Sequence, residues 1–144
     1  MQLALDEARA ALTHEDVPVG AVVLDIDSGE VVARAHNTRE RDNDPTAHAE
    51  VLALRAAAQT RGSWRLDNCA LVVTVEPCLM CAGAAWAARI PLIAFGAPDP
   101  KAGASGSLYN FAADPRLNHE TQIIAGVRAD ECGALISAFF ARRR

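Results

Sequence analysis

Four side chains able to do metal or proton chemistry stand in two short segments. His48 and Glu50 lie in Ala47-His48-Ala49-Glu50, and Cys78 and Cys81 in Pro77-Cys78-Leu79-Met80-Cys81. One imidazole and two thiolates form a ligand set that suits zinc. A structural zinc site usually closes its tetrahedron with four Cys or His ligands, whereas a catalytic site keeps three and leaves the fourth position to water. The count here is three, with one carboxylate to spare. Cys78 and Cys81 are spaced i, i+3, so at a helix start both sulfurs can face one way. Backbone N–H groups at such a start favour thiolate, the form that binds metal. His48 and Glu50 are two apart and do not share a helix face. If His48 turns to the metal, Glu50 can face the water and the substrate, as general base and then general acid.

Each half of this pattern has a plainer reading. Redox dithiols and zinc ribbons also carry C-x-x-C, and H-x-E fits a core histidine beside a solvated glutamate. A redox pair needs nothing at position 48. A ribbon needs a fourth ligand near Cys69, His119 or Cys132, and none of these has C-x-x-C or H-x-x-x-H company.

The elements that must position these groups can be read from periodicity. Leu3 to Leu12 has helical spacing, and Ala21 to Leu24 and Val31 to Ala35 flank a Ser28-Gly29 turn as an antiparallel hairpin. Asn37 to Asp44 is polar loop. Asp44-Pro45-Thr46 offers an N-cap acceptor and a first-turn proline for a helix from Ala47 to Thr60. Cys69 to Val75 is an apolar, β-branched run of the kind found in a buried strand. Pro77 opens a helix over Cys78 to Ala88, which stops before Pro91. A short strand at Leu92 to Phe95, a loop from Gly96 to Ser107 and a helical turn within Leu108 to Ala113 follow. The last strand is Gln122 to Val127, and the last helix, about Asp130 to Arg142, carries Leu135, Ile136, Phe139 and Phe140 on one stripe. Strands alternating with helices predict an α/β layered fold, one sheet covered on both faces.

The 144 residues, 51% hydrophobic, 22% charged and 5% aromatic, suit one folded domain over 1–144 with a real core. No apolar run approaches the roughly 18 residues of a membrane helix. Met1 to Glu7 lacks the basic start and cleavage site of a signal peptide, so the cytoplasm is the expected compartment. Cys69 and Cys132 stand alone in apolar surroundings, and no disulfide is expected. A net charge of -4 argues against a strong non-specific hold on nucleic acid. Arginine suits phosphate and base contacts, and Lys101 is the only lysine of the 14 basic residues. An alanine- and arginine-rich chain also follows from genomic base composition alone.

H-x-E…P-C-x-x-C is the known signature of zinc-dependent nucleobase deaminases, and the chain resembles that family. Within it, the chain is most similar to the bacterial tRNA-specific adenosine deaminases. The resemblance covers nearly the whole chain through Val17 to Val22, Asp44 to Glu50, Glu76 to Ala84, Phe95-Gly96-Ala97, Gly106-Ser107-Leu108, and Asp130-Glu131-Cys132 to Phe139-Phe140. It implies a three-layer α/β/α fold, cytidine deaminase-like, around a central mixed five-stranded sheet. It also implies one zinc per subunit on His48, Cys78 and Cys81, Glu50 as proton shuttle, and conversion of adenosine to inosine at the wobble position of a tRNA anticodon.

Substrate contacts implied by the resemblance are Asn37 and the Ala49 backbone at the target base and Asp99 near the RNA backbone. Phe140, with Phe139, walls the base site, and Arg116, Arg128 and Arg142 to Arg144 are candidate phosphate contacts. The family resemblance further implies a homodimer with RNA contacts from both subunits. Pro98 and Pro100 around Asp99, and Ser105 in place of a usual alanine, depart from the pattern. Two alternatives stand beside this reading. One is a deaminase of a free base or nucleoside, such as guanine or cytosine. The other is a non-catalytic zinc-stabilised partner subunit or RNA-binding module, against which Glu50 argues.

Overall fold

The computed structural model describes Met1–Arg144. Helix α1 (Gln2–Ala11) and a 3-10 turn (Leu12–His14) lead to strands β1 (Gly20–Asp25) and β2 (Val31–His36). Helices α2 (Arg39–Asp42) and α3 (Ala49–Arg61) then precede β3 (Cys69–Val75), α4 (Leu79–Ala87) and β4 (Leu92–Ala97). A 3-10 turn (Phe111–Ala113), β5 (Gln122–Ile124) and α5 (Ala129–Ala141) complete the chain. The five strands form one sheet in the order β2-β1-β3-β4-β5. β1 is antiparallel to β2 and β3, whereas β3–β4 and β4–β5 are parallel. The sheet is mixed and five-stranded, as the resemblance implies.

Side chains alternate between the two faces of a strand, and the core divides accordingly. Ala21, Val23, Leu71, Val73, Ile93 and Phe95 pack with Ala49, Ala53, Leu54 and Ala57 of α3 and Ala85 of α4. On the opposite face α1 and α5 sit close to the backbone, where glycines make room. A Cβ on Gly20 would run into the Ala4 carbonyl and the Ala8 N–H, and one on Gly96 into Cys132 Sγ and the Thr74 carbonyl. The central strands are therefore buried from both sides, which is why β3 is apolar almost throughout.

Several element boundaries differ from the sequence reading, each for a local reason. Asp44 does not cap α3. Its Oδ1 accepts the Thr46 N–H (2.8 Å) and hydroxyl (2.7 Å), closing a turn within the loop. The helix begins at Ala49 with His48 as its N-cap residue, so Pro45 lies outside it. The segment read as polar loop after Asn37 contains α2, whose Glu40 and Arg41 N–H groups donate to the buried Asp16 carboxylate at 2.9 and 3.2 Å. β4 runs on to Ala97, so Gly96 belongs to the strand. β5 ends at Ile124 because Gly126 turns the chain at φ 80.

Candidate active site

The site forms beyond the carboxyl ends of β3 and β4, where open α/β sheets commonly receive ligands. β3 delivers Glu76, Pro77 and Cys78 there, and β4 delivers Pro98 and Asp99. His48 and Cys78 are both N-cap residues, extended at φ -74, ψ 147 and φ -71, ψ 174, and Cys81 lies one turn into α4. Two helix N-termini thus direct their partial positive charge toward the same point, where it favours thiolate.

The ligand atoms of His48, Cys78 and Cys81 all lie within 4.8 Å of one another. His48 Nδ1 is 3.6 Å from Cys78 Sγ and 3.4 Å from Cys81 Sγ. A tetrahedral ion with bonds of about 2.3 Å to sulfur and about 2.0–2.1 Å to nitrogen would separate these atoms by about 3.6 Å, so the arrangement fits zinc. Their protonation fits as well. The neighbouring Cys81, with His48, pulls the Cys78 thiol down to about 4. Cys78 beside it, together with burial, holds the Cys81 thiol far above the usual thiol range. The contact with Cys78 raises His48 above its ordinary value. A divalent metal binds both sulfurs as thiolates and displaces the protons they carry.

Glu50 is 4% exposed and opens into the same cleft as His48 and Cys78. Burial pushes its carboxyl up to about 7, the range in which a group can take up and release a proton at neutral pH. The cleft, about 560 Å³, is also lined by Asn37, Arg39, Asp99 and Phe140. Asn37 Oδ1 accepts the Ala49 N–H at 2.8 Å, which fixes the amide and leaves its Nδ2 donor to the cleft. Ala49 itself is fully buried and does not line the cleft. Phe139 is buried and meets Phe140 edge-on at 5.3 Å, while Phe140 is 46% exposed at the cleft. Asp99 Oδ1 accepts the N–H groups of Lys101 and Ala102, so its side chain organises its own turn.

Of the outlying arginines, Arg143 and Arg144 line a cavity that adjoins the cleft and shares Lys101, Ile136, Ser137 and Phe140 with it, whereas Arg116 and Arg128 are absent from both linings. Arg116 pairs with Asp114 and Arg128 with Glu131. Arg143 donates to the Glu15 carbonyl at 2.6 Å and lies over the Phe139 ring. Two residues that the sequence reading passed over are Arg39, which α2 brings to the cleft, and Glu76, almost fully buried beside it. The sequence holds one signal for Glu76: a charged residue closing an apolar, buried strand needs several partners.

A family model described as the cytidine and deoxycytidylate deaminase zinc-binding region matches residues 1–97. The chain belongs to this family of zinc-dependent deaminases, hydrolytic enzymes built on the fold and metal site described above. The tRNA-specific adenosine deaminase of Bacillus subtilis is 45% identical over 144 residues, covering 100% of this chain and 88% of that protein. A structure solved in studies of A-to-I editing by tRNA:A34 deaminases at the wobble position of transfer RNA superposes with a TM-score of 0.88. It is 42% identical, with 94% of this chain and 96% of that one covered. The guanine deaminase of Nitrosomonas europaea superposes at 0.82 with 25% identity, over 97% of this chain and 82% of that one.

Proposed function

We propose that this chain deaminates adenosine to inosine at the wobble position of a tRNA anticodon. The observation that carries the reading is the buried Glu50 opening into one cleft with His48 and Cys78, in a chain 45% identical from end to end to a tRNA-specific adenosine deaminase. His48, Cys78 and Cys81 hold the zinc, one per subunit. Zinc, when bound, supplies the Lewis acidity that makes water a nucleophile near neutral pH.

Glu50 does the proton work. It takes a proton from the attacking water and passes it to ring N1 as the water oxygen bonds to C6. It then conveys the second proton to the departing amine, so that adenosine and water give inosine and ammonia. A carboxylate held in the cleft beside His48 and Cys78 can accept a proton from water and return it to the base. Asn37, oriented by the Ala49 N–H, offers Nδ2 to an acceptor on the base. Phe140 supplies a face for base stacking, and the Asp99 turn meets the RNA backbone. A single-stranded anticodon loop can splay its base into such a cleft without opening a duplex.

We also propose that the 144 residues act as one domain and that two copies pair. Leu79 and Met80 at the start of α4, and Leu108 and Tyr109 in the loop bridged to Cys78, are exposed apolar groups near the site that a second copy would cover. The cytoplasm is the compartment that an RNA-directed role suits; separately, no helix is long and apolar enough to cross a membrane. Deamination of a free base is the second reading, favoured by the structural likeness to guanine deaminase. Against it, Phe140 stands half-exposed at the cleft, whereas a small-molecule pocket buries most of its ligand.

The reading is tested with anticodon stem-loops carrying adenosine at the wobble position or at its neighbour. Inosine at the wobble position alone supports it. No inosine in either RNA, from zinc-loaded protein, overturns it.

A further inference from the structure

Glu76 is 2% exposed, yet the metal chemistry does not use it. Its carboxylate accepts the Asp99 N–H on Oε2 at 3.0 Å, and the Ser105 and Ser107 N–H groups on Oε1 at 2.9 Å each. The Ser107 hydroxyl also donates to Oε2. Gly103 leaves the space in which the carboxylate sits, since a Cβ there would strike Glu76 Cδ and Oε2. The gathered segment returns to the ligand strand, where Ala104 N–H donates to the Pro77 carbonyl at 2.8 Å and Gly103 bridges Cys78. Its first part, Asp99 to Ala102, lines the cleft.

A buried carboxylate that takes every bond from one loop acts on that loop. We propose that Glu76 is a positioning residue for RNA: its carboxylate gathers residues 99–107 into the cleft wall that receives the nucleotides flanking the reacting base. The proposal rests on the RNA reading above and deepens it, assigning to Glu76 the shape of the strand-binding wall and to Glu50 the chemistry. Glutamine at 76 would place an amide NH2 against N–H donors and release at least one of them. Losing a hydrogen bond to a charged acceptor shifts the balance between gathered and loose loop by about tenfold or more, and RNA that binds only the gathered form weakens by up to that factor.

Binding of an anticodon stem-loop is measured by fluorescence anisotropy on zinc-loaded Glu50→Ala protein, with and without Glu76→Gln, and KM and kcat are measured for Glu76→Gln in the active chain. The expected result is Kd and KM raised about tenfold, kcat within about threefold, and zinc content unchanged. Gly103→Ala, which crowds the same carboxylate from the loop side, raises KM in the same way. Should Glu76→Gln fold poorly, Ser107→Ala removes only the hydroxyl donor and raises KM at least threefold. A change in Kd or KM below threefold, a fall in kcat alone, or loss of zinc in both Glu76→Gln and Ser107→Ala overturns the proposal. A Glu50→Ala protein that binds no RNA overturns the RNA reading itself, before Glu76 is altered.

Discussion

Replacing Glu50 by glutamine should move activity and stability in opposite directions. Glu50 is buried, and its carboxyl is pushed from 4.5 to about 7, so in the metal-free chain its ionisation opposes folding. For a group raised in this way the stabilising contribution is complete below the unfolded value and is lost as pH rises through the folded one. At about 1.4 kcal/mol per pKa unit, the cost is on the order of 1 kcal/mol at about pH 5.5 and on the order of 3 kcal/mol at about pH 8. Glutamine keeps the shape and removes that cost. Metal-free Glu50→Gln protein should therefore exceed the parent in urea-unfolding stability at about pH 8, with the difference shrinking toward about pH 5.5. The same substitution removes the proton carrier, and zinc-loaded Glu50→Gln protein should lose about 10²- to 10⁴-fold in kcat. Urea titrations at the two pH values, zinc analysis and inosine quantification measure all three quantities. A variant that keeps its zinc and reacts within tenfold of the parent would refute the proton-carrier role. A variant less stable than the parent at about pH 8 would refute the account of why the carboxyl is poised.

Other perturbations separate the parts of the molecule. A chelator, or His48→Ala, should abolish both bound zinc and turnover, and zinc should restore the chelated protein but not the variant, as read by metal analysis and activity. Phe140→Ala should raise KM for RNA several-fold while leaving Tm within about 2 °C, because the ring is half-exposed at the cleft. Gly96→Ala should destabilise by about 1–3 kcal/mol in urea unfolding, since its methyl meets Cys132 Sγ and the Thr74 carbonyl. The Ser28 N–H and Arg61 hold Asp25 down to about 2 from 3.8. Its contribution to stability is complete above about pH 5 and lost as pH falls through about 2, and Asp25→Asn should remove that acid dependence from the unfolding curve.

The metal ligands were legible in the sequence because their chemistry is rare and each pair lies within one helical turn. C-x-x-C and H-x-E need only a helix start to aim them, and the apolar run of β3 indicated how the second pair returns to the first. The exact starts were harder to read. Asp44 and Pro45 have the residue types of a helix cap, but Asp44 closes a turn onto Thr46, and the cap is His48 itself. The hairpin and the alternation of strands and helices were also readable, whereas the end of β5 depended on the positive φ of Gly126. Glu76 illustrates what local patterns do not carry. Its donors lie 23 to 31 residues away, and only the return of β4 beside β3 brings them within reach. Arg39 was obscured in another way, since α2 is four residues long and is held by Asp16 from a distant loop.

The central claim is that this metal site works on an adenosine presented by RNA. Zinc-loaded protein should be given, in parallel, an anticodon stem-loop with adenosine at the wobble position and free guanine, adenine and cytosine, with nucleosides and ammonia quantified by mass spectrometry and coupled assay. The account predicts inosine in the RNA and no ammonia from the free bases. Ammonia from a free base, with the stem-loop left intact, would contradict it.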